Sequence, residues 1–328
     1  MSRPGPAGAG RGSAFGTFGE LLQGVLPGAG GHFMVTLPLA RWSTAEFSYD
    51  PAAPGVRVAP AHKHRAARLA VRALRAAGLG GGGRLRLGGE LPEGKGMASS
   101  SADLVATARA VADAVGARFG PADVEALLRG VEPTDGVMYD GIVAFGHREV
   151  RLRERLGTVP AMTVVGYDEG GTVDTIGRNR TAAAPGPAER REYALLLDRA
   201  REAVRAADLP ALGRVATRSA ELHAGRHPRP ALPALLRVCR DVGGLGVACA
   251  HSGTVLGILL PHDDPATPAK AAAALSACAA ALPGTTRLHR TLGPADDWTG
   301  AGRKAVIPGI GRHCPPNEVD SVYESGRI

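Results

Sequence analysis

Between residues 90 and 101 the chain reads Glu90-Leu91-Pro92-Glu93-Gly94-Lys95-Gly96-Met97-Ala98-Ser99-Ser100-Ser101, a glycine-bearing turn followed by three hydroxyl side chains. Ala102, Val105, Ala106, Ala110, Val111 and Val115 then recur at helical spacing, so the turn is expected to open a helix. A helix start aims free backbone N–H groups and the positive end of the helix dipole at one point, which suits a polyphosphate. Gly94 and Gly96 let backbone approach such a ligand closely, and Ser99, Ser100 and Ser101 offer hard oxygens of the kind Mg²⁺ accepts. Lys95 reads either as a point charge for a phosphate oxygen or as a solvated loop lysine. The plainer account of the whole segment is a serine N-cap after a glycine turn. Residues 89–96 fall short of the P-loop pattern, because Gly96 stands where that pattern requires Ser or Thr. The stretch Gly78-Leu79-Gly80-Gly81-Gly82-Gly83 fits GxGxxG only as a glycine run, and it precedes a strand.

The elements around this loop belong to a chain of 328 residues and 33.6 kDa, a length that implies about two domains. Its 44% hydrophobic and 21% charged composition is globular. It has no apolar run of the roughly 18–20 residues a membrane span needs. The first residues show no apolar core of a signal peptide, so a cytoplasmic location is expected. Cys239, Cys249, Cys278 and Cys314 are irregularly spaced, which fits buried free thiols and neither a zinc site nor a disulfide framework. The net charge of +8 rests on arginine, since only four lysines occur, but the arginines are interleaved with acids and alanines. With 4% aromatic residues and none of the usual modules, nucleic-acid binding is not expected.

Periodicity places a disordered head at 1–11, strands at 13–18, 33–37 and 43–49, a helix over 61–77 and a strand at 84–87 ahead of the loop. A helix over 121–130 follows the one that the loop opens. A second half begins with a strand at 161–167. Helices at 188–207 and nearby come next, then strands at 246–250 and 254–260, a helix over 268–281 capped by Thr267, and a strand at 285–292. This β-α-β-β-α-β order with extra helices is the split βαβ plan of ferredoxin-like domains. The polar stretch 151–160 is taken as the boundary, giving domains at 12–155 and 156–300 and an irregular tail at 301–328.

The loop resembles the phosphate-binding motif of the GHMP kinase superfamily, Pro-x-x-x-Gly-Leu-Gly-Ser-Ser-Ala-Ala, with Met97, Ala98 and Ser101 as departures. Two further segments stand in the superfamily's order. Phe15-Gly16-Thr17-Phe18-Gly19-Glu20-Leu21-Leu22-Gln23-Gly24 is similar to its substrate-side motif, and Gly246-Val247-Ala248-Cys249-Ala250-His251-Ser252-Gly253-Thr254 to its third motif. Within the superfamily the chain most resembles the L-threonine kinase family of cobalamin biosynthesis, through Gly19–Gly24, Pro38 with Trp42-Ser43-Thr44, Gly94–Ser100, Glu132-Pro133-Thr134-Asp135 and Gly171–Thr175. Under that resemblance Lys95, Met97 and Ala98 are no longer departures.

The resemblance implies a two-domain α+β fold, an N-terminal mixed α/β domain followed by a C-terminal ferredoxin-like domain. It implies ATP and Mg²⁺ as cofactors, a small-molecule acceptor, and a monomer or homodimer. The reaction would carry the γ-phosphoryl of ATP to the threonine hydroxyl, giving O-phospho-L-threonine for the aminopropanol linker of the corrinoid nucleotide loop. Homoserine kinase, another small-alcohol kinase of secondary metabolism, and a non-catalytic sensor of the same fold are the rival readings. By resemblance the nucleotide falls to Pro92, Gly94, Lys95, Gly96, Met97, Ala98, Ser99, Ser100 and Ser101, with Ser252 and Gly253 beside them. Asp135 corresponds to the catalytic aspartate, although Pro133-Thr134-Asp135-Gly136 is also a good turn sequence. Ser100 is the expected Mg²⁺ ligand, and Glu132 reads either as a second ligand or as a surface charge ending a helix. For an amino acid substrate, Glu20 suits an ammonium group and Gln23 a carboxylate or hydroxyl, unless both cap the turn after the first strand. Asp174 and Thr175 are candidates from the second half, and His251 is read as support for its hairpin. Nothing in the sequence selects which arginine would hold a substrate carboxylate.

Overall fold

The structure is a computed structural model that describes residues 8–28, 31–171 and 185–300, with the backbone of 322–324. The first apolar segments merge into two long antiparallel strands, β1 (Ala9–Val25) and β2 (His32–Asp50), paired from Ala9↔Ser48 to Val25↔His32. The breaks at Gly16, Gly19 and Pro38 interrupt the apolar alternation without ending the strands, so sequence pattern shows only their most regular parts. Residues 9–11, expected in a disordered head, belong to β1, and residues 1–7 lie outside the described residues.

After β2 come β3 (Gly55–Ala59), α1 (His64–Ala76), β4 (Gly82–Gly89), α2 (Ser99–Val115), α3 (Pro121–Leu128), β5 (Ile142–Gly146) and β6 (Arg151–Gly157). The second half holds β7 (Met162–Asp168), α4 (Pro187–Arg205), α5 (Leu209–Ala224), α6 (Leu232–Asp241), β8 (Gly246–Cys249), β9 (Val255–Pro261), α7 (Thr267–Ala281) and β10 (Thr285–Arg290). One sheet runs β10-β7-β9-β8-β1-β2-β4-β3-β11, where β11 is Val322–Glu324, and β5 and β6 branch from β2. The order β10-β7-β9-β8, with helices in both crossovers, is the ferredoxin-like plan, so the α+β expectation holds. The two halves of the sheet join at the pair Glu20↔Cys249.

Three details differ from the sequence reading. The stretch 151–160 contains β6, whose residues alternate between exposed and half-buried, so a division at 155 cuts a strand. Thr267 is the first residue of α7 and not its cap, and its hydroxyl donates to the Pro261 carbonyl. Within the tail, 322–324 pair with β3, while 301–321 and 325–328 lie outside the described residues. Among the described residues no helix is long and apolar enough to cross a membrane, and Cys239, Cys249 and Cys278 are buried free thiols. Cys314 lies outside the described residues.

α2 is buried on nearly every side, so its position decides where its N-terminus points. It lies directly on β1 because small residues meet on both surfaces. Gly8, Gly10 and Gly12 share one face of the extended chain, and Ala106, Ala110 and Ala114 share one face of the helix. A Cβ on Gly10 would lie 2.1 Å from the Ala114 nitrogen, and one on Gly12 would lie 2.2 Å from the Ala106 carbonyl oxygen. Gly12→Val is therefore expected to cost about 3 kcal/mol through overpacking against rigid backbone. Gly80→Ala, at a site with nothing within 4 Å among the described residues, should stay within about 0.5 kcal/mol. Denaturant midpoints of the two variants test the seam, and equal midpoints would refute it.

Candidate active site

The loop after β4 is clamped by backbone on two sides. On one side Thr17 N–H donates to the Met97 carbonyl at 3.2 Å and Gly19 N–H to the Gly96 carbonyl at 3.0 Å. The β1–β2 register slips between Phe15 and Leu22, which diverts these amides from the strand ladder. On the other side Thr254 N–H, in the turn between β8 and β9, donates to the Lys95 carbonyl at 3.2 Å. Gly253 must be glycine, since a Cβ there would lie 2.1 Å from the Lys95 carbonyl oxygen. Gly96 has φ +80°, and its Cβ would lie 2.4 Å from that of Ala250. Ala98, also left-handed at φ +56°, turns the chain into α2, and no side chain caps the helix start. The first-turn amides therefore face a cleft with no internal partner.

That cleft encloses about 470 Å³. Gly94 and the run Gly96–Ser101 form one wall together with Ser252, while Glu20, Gln23 and Asp135 form another. The turn at Glu132–Thr134 and the turn at His147–Arg148 complete it, with Met34 and Arg65. Asp135 sits on the loop between α3 and β5. Its N–H donates to Ser101 Oγ at 3.1 Å, and the Ser101 hydroxyl lies 3.3 Å from Asp135 Oδ2. Burial, reinforced by the negative charges of Glu20 and Glu132 and opposed by the Ser101 bond, pushes the Asp135 carboxyl up to about 7. A carboxylate at that value accepts a proton effectively near neutral pH.

Ser100 Oγ donates to Glu132 Oε1, and Arg65 Nη1 holds Glu132 Oε2 at 2.6 Å. Two hard oxygens thus meet at the mouth of the helix start. This fits Mg²⁺, which takes one or two protein ligands and completes its shell with phosphate and water. Among the described residues no cluster of three His, Cys, Asp or Glu side chains forms a metal cage. The Glu132 carboxylate is nearly buried, with 8% of its side chain exposed, so it is not the surface charge that its place after a helix allowed. Glu20 is buried too, and its Oε2 accepts from His251 N–H at 3.0 Å and from His251 Nδ1 at 2.9 Å. His251 thereby ties the β8–β9 hairpin to β1. Gln23 lines the cleft, and its backbone N–H donates to Ser219 Oγ.

The structure redirects several residues assigned to the nucleotide. Lys95 Nζ turns away from the cleft to Asp168 at 2.8 Å and to the Gly171 carbonyl at 2.7 Å, because β7 ends beside the loop. Pro92 and Lys95 line a separate cavity of about 180 Å³ behind the loop. Gly253 supports the loop through close packing, and the Ser101 hydroxyl is committed to Asp135. Asp174 and Thr175 lie outside the described residues. The sequence reading missed Arg65, Met34, His147, Arg148 and Asp168. Each reaches its place by strand pairing or helix packing across the fold, and none carries a local motif.

Because the native state holds the Asp135 proton more tightly than the unfolded chain, stability falls as pH rises from about 4 through about 7. Asp135→Asn should therefore melt roughly 2–4 °C above the parent at pH 8, with the gap closing by pH 4. A gap independent of pH would contradict the buried charge.

Two family models match the chain, GHMP kinases N terminal domain over residues 64–144 and GHMP kinases C terminal over residues 200–281. The L-threonine kinase of Citrobacter freundii is 29% identical over 249 residues, covering 75% of this chain and 84% of that protein. Among solved structures, homoserine kinase from Cytophaga hutchinsonii superposes with a TM-score of 0.70 at 14% identity, covering 89% of this chain and 97% of that one. L. major mevalonate kinase in complex with R-mevalonate superposes with a TM-score of 0.64 at 17% identity, covering 90% and 100%. The structural likenesses carry the fold alone, whereas the two domain models, matched in order, carry the family. The glycine-clamped loop opening α2, the ferredoxin-like second half and these matches converge: the chain belongs to the GHMP kinase superfamily and is an ATP-dependent phosphotransferase with an alcohol acceptor.

Proposed function

We propose that the alcohol is the side-chain hydroxyl of L-threonine and that Asp135 is the base. The observation that carries the mechanism is the half-buried Asp135 carboxylate, pushed up to about 7 by its surroundings and bonded to Ser101 in the first turn of the helix that opens on the cleft. The choice of threonine is supported by likeness to the Citrobacter freundii L-threonine kinase and by the acidic Glu20, suited to an ammonium group. This reading gives the product O-phospho-L-threonine the place in cobalamin biosynthesis that the sequence resemblance implies.

The amides of residues 99–101 and the glycine backbone at 94 and 96 hold the phosphates of ATP. Asp135 accepts the hydroxyl proton of threonine while the threonine oxygen bonds to the γ-phosphorus. The bond from that phosphorus to the bridging oxygen breaks, and ADP leaves with the electron pair. Ser100 Oγ and Glu132 are the residues that would hold Mg²⁺, an ion that offsets charge on the phosphates when bound. Arg65 keeps Glu132 aimed at Ser100.

ADP release with MgATP, measured against L-threonine, L-homoserine, L-serine and mevalonate, tests the reading. L-threonine should give the highest kcat/KM, and Asp135→Ala should lower kcat by roughly 10²–10⁴ with little change in ATP affinity. Preference for another alcohol would keep the kinase and discard threonine, while an unchanged kcat in the variant would discard the base. The parent kcat should rise with pH through about 7 as Asp135 loses its proton, and a flat profile between pH 5.5 and 8.5 would argue against that role. Ser100→Ala should raise the Mg²⁺ concentration needed for half-maximal rate by about tenfold, and an unchanged requirement would remove Ser100 from the ion.

A further inference from the structure

The strand pairings give the cleft a direction. β1 meets the phosphate loop at Thr17 and Gly19, presents Glu20 next, and presents Gln23 three residues farther on. Gln23 pairs with Met34 of β2, and Met34 pairs with Phe145 of β5. β5 leads straight into the turn that carries His147 and Arg148. That turn therefore forms the end of the cleft away from the phosphates, with Asp135 and Glu20 between.

Three observations make this turn a built feature. Val150, a β-branched residue, is held at φ +50° with its side chain buried, a backbone state that the surrounding structure must enforce. It is enforced by Arg129 Nε, which donates to the Val150 carbonyl at 3.1 Å, and by Thr134 N–H, which donates to the His147 carbonyl at 3.0 Å. His147 lines the cleft with 7% exposure, yet its Nδ1 is buried with no hydrogen-bond partner among the described residues. A buried polar atom left orphaned calls for an explanation, and at the wall of a cleft a ligand that supplies the missing partner is one.

The cleft also reduces the arginine choice to two. Arg65 is committed to Glu132 at the phosphate end. Arg148 is exposed at the other end and makes no ion pair with any carboxylate among the described residues. Its charge nevertheless reaches the imidazole beside it: burial first and Arg148 second hold His147 down to about 3, so the ring is neutral. A free guanidinium and a neutral imidazole with an unused nitrogen form a donor pair for a carboxylate, which a guanidinium binds in bidentate fashion.

We propose that Arg148, with His147 beside it, binds the α-carboxylate of the acceptor and sets the cleft's preference for α-amino acids over amino alcohols that lack that group. This rests on the amino acid reading above. An acceptor held by its carboxylate at Arg148 and by its ammonium at Glu20 has both fixed charges anchored. Its hydroxyl is then the group left to face Asp135 and the loop.

The test compares kcat/KM for L-threonine, L-homoserine and L-serine with that for their carboxylate-free counterparts 1-amino-2-propanol, 3-aminopropanol and ethanolamine. The parent enzyme, Arg148→Ala and Arg148→Lys are all assayed. The parent should favour the carboxylated member of its best pair, and Arg148→Ala should reduce that preference by about 10–100-fold, chiefly through KM of the acceptor and not of ATP. Arg148→Lys should restore part of it, as a point charge without the fork. An undiminished preference in Arg148→Ala overturns the proposal. So does a parent that favours the amino alcohols or turns over none of the six. If the parent favours L-serine or L-homoserine, threonine is wrong, and the ratio within that pair still decides Arg148.

Discussion

The backbone contact between the loop at 94–98 and the two strands that flank it governs this structure. Three carbonyl groups of the loop, from Lys95, Gly96 and Met97, accept hydrogen bonds from Thr254, Gly19 and Thr17. Once these carbonyls point outward to the strands, the turn into α2 leaves its amides to face the cleft. The contact is so close that Gly253 and Gly96 have no room for a Cβ. It also spans the seam of the fold, since β1 belongs to the first half and the β8–β9 hairpin to the second. The loop at 94–98 and the junction of the two halves are thus one piece of packing, and a change to either is felt by both.

A second consequence follows from what that packing brings together. Glu20, Glu132 and Asp135 come from β1 and from the loop after α3, and they crowd one cleft. Each negative charge raises the cost of the others. Glu20 is matched by the backbone and ring of His251, and Glu132 by Arg65. Among the described residues Asp135 has only the Ser101 hydroxyl and its own amide bond to that hydroxyl. Burial first, and the neighbouring charges of Glu20 and Glu132 after it, raise its pKa, and only the Ser101 bond opposes them.

Polarity along the cleft completes the picture. Amides and Arg65 gather at the helix start, acids in the middle, and Arg148 at the far turn. Glu132, paired with Arg65, is the one acid that stands at the helix start. This order is a product of sheet pairing, from Thr17 through Gln23 and Met34 to Phe145, and it is invisible to a reading that runs along the chain.

The sequence by itself determined the local features. Helical spacing after Ser101 marked α2, the β-α-β-β-α-β order marked the ferredoxin-like half, and glycines at 94 and 96 marked places where backbone comes close. These are short-range properties, set by propensity, periodicity and the absence of a Cβ. Motif resemblance added Asp135, Ser100, Glu132 and Glu20, all of which the fold brings to one cleft. Only the tertiary structure decided what each group touches. It turned Lys95 to Asp168, gave Ser101 to Asp135, buried Glu132 beside Arg65, made a strand of 151–157, and set Arg148 at the cleft. The reason is physical: a side chain's charge state and partner depend on what long-range packing sets within a few ångströms of it, and residues 65, 100 and 132 share no local pattern that places them together.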